Sequence, residues 1–129
     1  MVADTSAWVE FLRATGSACH VRLTTAVRDG EQIVVLDVVL LELLCGAATE
    51  LRASELRRFL AAFTTVPTAS PADHELAAEL YRTARRAGET IRSLLDCLVA
   101  AAALRLDLPV LARDRDFEVL ARISPLRLV

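Results

Sequence analysis

The chain has 129 residues, 54% of them hydrophobic and 25% charged, with a formal net charge of −2. That is one domain's length of chain, able to build a core without disulfide or metal staples and too apolar for a disordered segment. The slightly acidic balance argues against coating nucleic acid by bulk attraction, but leaves room for an enzyme that holds it through metal ions and a local basic patch.

Short β-like runs alternate with longer helical patterns. Val2–Ala3 is a short run ending at Asp4. Ser6 to Ala14 has helical spacing, with Thr5 or Ser6 as its cap. Cys19 to Arg28 is a second helix, closed by Gly30, and Gln32 to Leu36 is a β-branched, buried strand. Asp37 can cap a helix running through Cys45 and stopped by Gly46. Leu51 to Phe63 carries apolar residues at helical spacing, and Thr64 to Thr68 is a short strand. Pro71 to Ala87 is amphipathic, with Pro at its first turn, acids early, arginines late and Gly88 beyond. Ser93 to Leu106 is apolar nearly all round, as a core helix is. Pro109 to Ala112 reads as a strand, Asp116 to Ala121 as a helix and Leu126 to Val129 as a last strand. Such alternation predicts an α/β sandwich with a central parallel sheet of four to five strands flanked by helices, in a single domain spanning residues 1–129.

The longest run without a polar residue, Leu98 to Leu104, is far too short to span a bilayer. The opening Met-Val-Ala-Asp has no basic segment, so no signal peptide is expected and the reading is cytoplasmic. Every basic residue is arginine, a side chain whose fork suits phosphate. Cys19, Cys45 and Cys97 are widely spaced among apolar residues and read as buried free thiols.

In parallel α/β folds, ligands bind beyond the carboxyl ends of the strands, so acids just after strands are the ones to examine. Asp4 follows the first strand, and Asp114 and Asp116 follow the strand at Pro109–Ala112. Each could simply cap a helix. Asp96 fits a capping box with Ser93, a role compatible with metal binding at the same helix start. Glu42 is the only charge in Val38-Val-Leu-Leu-Glu-Leu-Leu-Cys45. It needs either a solvent-facing stripe or a cation. Converging carboxylates are hard oxygen ligands that suit Mg2+ or Mn2+. No Cys/His cluster, dinucleotide-binding glycine motif, P-loop or G-x-S-x-G elbow is present. Phosphoryl chemistry is the commonest use of an all-carboxylate Mg2+ site.

Four pieces taken together resemble the PIN-domain family, and within it the VapC-type toxins of toxin–antitoxin pairs. They are Val2-Ala-Asp4-Thr-Ser-Ala-Trp8, Leu41-Glu42-Leu-Leu-Cys-Gly46, Ile91-Arg92-Ser-Leu-Leu-Asp96-Cys-Leu-Val-Ala-Ala101 and Leu111-Ala-Arg-Asp114-Arg-Asp116-Phe117. They occur in the family's order and span almost the whole chain. Ala3 departs from the family, which more often has a larger β-branched residue there. The resemblance implies a PIN-like sandwich and a Mg2+- or Mn2+-dependent endoribonuclease that hydrolyses RNA phosphodiester bonds. Asp4, Glu42, Asp96 and Asp114 would form its acidic quartet and Asp116 an accessory fifth ligand. Thr5 or Ser6 would order Asp4 or the attacking water, and Arg92, Arg113 and Arg115 could contact phosphates. Neutralising one acid, as in Asp114→Asn, should then relieve repulsion. The alternatives are a PIN-like binding module without nuclease activity, or a small-molecule phosphatase, whose usual Asp-x-Asp-x-[Thr/Val] motif is missing.

The resemblance also implies a homodimer in a bacterial or archaeal cytoplasm, blocked by a cognate VapB-type antitoxin in a heterotetramer or larger assembly. Trp8, Phe11 and Leu12 form one apolar stripe. It either packs on the sheet or, with the helix Cys19–Arg28, lines a groove for an antitoxin segment.

Overall fold

The computed structural model describes all 129 residues. Four strands and seven helices alternate along them: β1 (Val2–Ala3), α1 (Thr5–Leu12), α2 (Ala18–Arg28), β2 (Val34–Leu36), α3 (Asp37–Cys45), α4 (Glu50–Leu60), β3 (Thr64–Val66), α5 (Ala72–Arg86), α6 (Leu94–Arg105), β4 (Val110–Leu111) and α7 (Arg115–Ile123). All strand pairs are parallel, in the order β3-β2-β1-β4. Val2 pairs with both Val34 and Val110, so the two-residue strand β1 lies inside the sheet. Helices cover the sheet, and β1, β2 and β4 are buried. Near-continuous β-branched runs are what such strands require. In α6 the run Val99 to Ala103 is fully buried. Its alanines let α5, with Ala77 and Ala84, approach closely.

The expected last strand is reduced to one parallel bridge, Val110↔Leu128. Its neighbour β4 is only two residues long, and Pro125 stands just before the segment. The sheet is therefore four-stranded.

Several caps differ from expectation. Asp4, not Thr5 or Ser6, caps α1: it is extended, and its Oδ2 accepts the Ser6 amide at 2.9 Å. That frees the two hydroxyls for the acids described below. Helix α1 ends at Leu12, because Ala14 adopts a left-handed φ of 49°. Asp37 does not cap α3 but is its first residue, and its Oδ1 accepts both Val38 N and Thr68 N. Ser93 stands at the cap position of α6 but makes no side-chain cap bond. Of the three cysteines, Cys19 and Cys97 are buried, whereas Cys45 is exposed on the last turn of α3.

A polar clamp on the far side of the chain was not foreseen. Asp73 is buried in the first turn of α5. It receives the Arg105 fork at 2.8 and 2.9 Å and the Ala69 amide at 2.7 Å, while Arg105 also donates to the Pro67 carbonyl. Burial pushes the Asp73 carboxyl up, but the fork and the amide outweigh it and hold its pKa below the ordinary value. Asp73→Ala leaves Arg105 without its partner and is expected to cost about 3 kcal/mol, read from urea unfolding. A loss below about 1 kcal/mol would show the clamp to be ornamental.

Candidate metal centre

The chain order reverses between β1 and β4, so a crevice opens between their carboxyl ends. Asp4 stands on one side of it, immediately after β1; Asp114, the cap of α7, stands on the other. The first turn of α6 brings in Asp96. Ser6 stitches the crevice: its hydroxyl donates to Asp4 Oδ2 at 2.6 Å and accepts the Arg113 amide at 2.9 Å. Thr5 faces a different acid, donating to Glu42 Oε2 at 2.5 Å. The two hydroxyls thus divide the work, a pairing that residue spacing alone did not settle.

Asp96, Asp114 and Asp116 each present an oxygen within 4.8 Å of the others. Asp4 is buried beside them, and Glu42 lies on the Asp4 side. Burial pushes the Asp4 carboxyl above its ordinary pKa, against the help of Ser6, and the Glu42 charge adds to the rise. Asp96 is pushed up to about 7, first by burial and then by the charges of Asp4 and Asp114.

The five acids fall into two groups. Asp4, Glu42 and Asp96 take part in none of the chain's ion pairs. Asp114 and Asp116 are both engaged by Arg92, through Nη2 at 2.5 Å and Nε at 3.3 Å. Asp116 Oδ2 also accepts the backbone amides of Arg92 and Ser93, at 2.6 and 3.1 Å. Buried Asp116 therefore fixes the start of α6, taking the place of the expected Ser93 capping box, and so aims Asp96.

The three candidate arginines separate. Arg92 lies on the acids, Arg113 pairs with Glu10, and exposed Arg115 has Glu89 as its nearest acid at 4.0 Å.

The aromatic stripe of α1 also divides. Trp8 is fully buried, packed edge-on against Phe59 and Phe63, while Phe11 stacks on Phe59 and Leu12 is exposed. Two grooves flank the acids, so α1 and α2 do not share a single one as expected: the start of α2 (Ala18, Cys19, Arg22) lines one that reaches Asp114 and Phe117, and α1, α3 and α4 form the other. The latter encloses roughly 470 Å³, lined by Thr5, Val9, Leu12, Glu42, Leu56 and Phe59 among others. Helix α2 packs along α1. The contribution of α4 was missed because nothing in its sequence marks it as next to Glu42.

An all-carboxylate cluster at a sheet's switch point, buried at Asp4, Asp96 and Asp116 and open at Asp114, is the donor set of a hard divalent cation, and these residues fit one. The model of the PIN domain matches residues 1–123, and the chain belongs to the PIN-domain family. Among its relatives are a VapC ribonuclease of Mycobacterium bovis and ribonuclease VapC11 of Mycobacterium tuberculosis. Each is 39% identical over 128 residues, 98% of this chain and 96% of the relative. Solved structures with the same fold include VapBC2 of Rickettsia felis bound to a promoter DNA fragment. That match has a TM-score of 0.78 at 20% identity, covering 99% of this chain and 96% of that one. VapC20 of Mycobacterium tuberculosis, a toxin that cleaves the sarcin–ricin loop, matches with a TM-score of 0.65 at 20% identity over 98% of both chains. No helix here is long and apolar enough to cross a membrane.

Proposed function

We propose that the chain is a toxin of the VapC type: a divalent-metal-dependent endoribonuclease acting in the cytoplasm as a single PIN unit and restrained by a VapB-type antitoxin. The observation that carries this reading is the crowding of Asp96 against Asp114 beside buried Asp4, with no cation on either Asp4 or Asp96. A PIN-like module without chemistry has no need of buried, unpaired carboxylates that destabilise it.

Asp4, Asp96 and Asp114 would hold the ion. Bound Mg2+ or Mn2+ supplies the positive charge that activates a water and neutralises the phosphate. Ser6 keeps Asp4 turned into the crevice. Glu42, oriented by Thr5, is placed to accept the proton of the attacking water or to help hold a second ion. Asp116 acts through the backbone, by fixing the turn that carries Asp96. Arg113, whose side chain is occupied by Glu10, serves through its amide rather than as a phosphate contact.

The groove between α1, α3 and α4 runs up to Thr5 and Glu42. It suits an amphipathic antitoxin segment whose apolar side chains lie on Val9, Leu56 and Phe59 and whose basic residue reaches the acids. A homodimer carrying one such segment on each protomer belongs to the same reading.

Titration with Mn2+ is the direct test. Millimolar Mn2+ is expected to raise the thermal midpoint by several degrees through preferential binding to the fold. Asp4→Asn should abolish both that rise and Mg2+-dependent RNA cleavage. An unchanged wild-type midpoint would return the acids to the role of helix caps. Sequencing the 5′ ends of RNA fragments formed during brief expression without antitoxin would then identify the target.

A further inference from the structure

Arg92 is the only basic side chain paired with any of the five site acids, and its two ends are held very differently. Its backbone amide is fixed by buried Asp116 at 2.6 Å, with the Ser93 amide beside it. Its guanidinium, in contrast, is 64% exposed and meets Asp114, itself 37% exposed, through a single Nη2 contact; its Nε lies a longer 3.3 Å from Asp116. A pair as open to solvent as Arg92–Asp114 is worth about 1 kcal/mol or less, so the Nη2 end can be released at little cost while Nε and the backbone amide stay on buried Asp116. Asp114 also serves the Asp116 amide as its helix cap, through the same Oδ1 that receives Arg92.

Asp114 is therefore claimed twice: by a guanidinium reaching it from the turn before α6, and by the ion that its nearness to Asp96 implies. Two cations on one carboxylate oppose each other. We propose that Arg92 and the divalent ion compete for Asp114, and that Arg92, once it gives up this carboxylate, turns its fork to an RNA phosphate at the same crevice. Arg92 then has two roles at one position. It sets the affinity of the metal centre, and it joins phosphate engagement to metal loading, because the Nη2 donor held by Asp114 becomes free once that carboxylate is otherwise neutralised. Guanidinium donors matched to phosphate oxygens give the second role its chemistry. The inference rests on the metal-centre reading above.

Calorimetric Mn2+ titration of the full chain and of Arg92→Gln tests the competition. The substitution keeps the backbone amide, and with it the Asp116 latch, so α6 should start where it does now. Arg92→Gln is expected to bind Mn2+ about five- to tenfold more tightly than wild type. A second measurement needs no variant beyond signal assignment. The Arg92 Nη–H resonances, identified by their absence in Arg92→Gln, should move toward the position of a free arginine as Mg2+ is added. Transfer to phosphate is read with a mixed-sequence phosphorothioate oligoribonucleotide. Arg92→Gln should weaken its binding about tenfold in Mg2+ and less than twofold in EDTA.

Equal or weaker Mn2+ binding by Arg92→Gln, or Nη–H signals unmoved at saturating Mg2+, would overturn the competition while leaving the metal centre standing. Equal loss of oligonucleotide binding with and without Mg2+ would overturn the coupling. If neither protein binds Mn2+ at all, the metal-centre reading fails and this inference falls with it.

Discussion

Asp96→Asn is expected to abolish Mg2+-dependent RNA cleavage, by about a thousandfold or more, and at the same time to raise the thermal midpoint of the protein in EDTA. Both effects follow from one observation: the carboxylate is buried among acids, and its pKa is pushed up to about 7. Between about pH 4 and pH 7 the folded chain holds a proton that the unfolded chain has lost, so stability without a divalent ion falls as pH rises through that window and levels off above it. At about 1.4 kcal/mol per pH unit the shift sets an upper limit of about 4 kcal/mol, which solvent screening reduces to about half. Asparagine removes that pH dependence. In millimolar Mn2+ the wild-type slope should reverse, because the ion binds the ionised form. Thermal melts at pH 5, 6, 7 and 8, in EDTA and in Mn2+, check each sign. A wild-type midpoint in EDTA that climbs between pH 5 and 7 would contradict the electrostatics of the site. Asp114→Asn should relieve the same repulsion, since its charge helps raise Asp96, but by less than Asp96→Asn, because Asp114 is paired with Arg92 and caps α7.

Trp8→Ala is expected to unfold the chain or cost about 4 kcal/mol, by leaving a cavity among Phe11, Phe59 and Phe63. Trp8 is fully buried, so its loss reports on the core and not on antitoxin binding. Its indole Nε1 finds no acceptor, the one buried side-chain nitrogen or oxygen left unpaired. Trp8→Phe discards that unpaired donor and should cost far less than Trp8→Ala. Leu12→Ala removes a side chain that is 48% exposed at the groove. It should leave the unfolding free energy within about 1 kcal/mol of wild type while weakening binding of a VapB-type partner. Antitoxin binding unaffected by Leu12→Ala and Leu56→Ala together would move the docking site away from this groove.

The parallel sheet was legible because β-branched runs alternate with helical spacing, and the edge that carries the acids followed from where those runs stop. Strand ends were not legible: Gln32–Leu36 shortens to Val34–Leu36 because the register with β1 and β3 supports only three residues. Asp4 and Asp96 could be singled out because a charge that closes a buried strand or opens an apolar helix is locally conspicuous. What local pattern could not show was which partner each polar group finds across the chain. Ser6 meets an amide 107 residues away, Asp116 takes amides from the turn before α6, and Asp73 meets Arg105 from the end of another helix. Such pairings depend on tertiary packing. For the same reason the capping box read at Ser93 gave way to a long-range substitute.

The β1–β4 junction is only two residues long on each strand, yet the acids face one another across it, Asp4 on one side and Asp96 and Asp114 on the other. So short a ladder, strained by like charges, is a natural place for the fold to open locally. A cation shared across the junction closes it like a rivet. The Arg113 amide, held only by the Ser6 hydroxyl at the mouth of that junction, should exchange its hydrogen quickly in EDTA and slowly in Mg2+. On this account the ion governs how often the two sides part as well as how the phosphate is held.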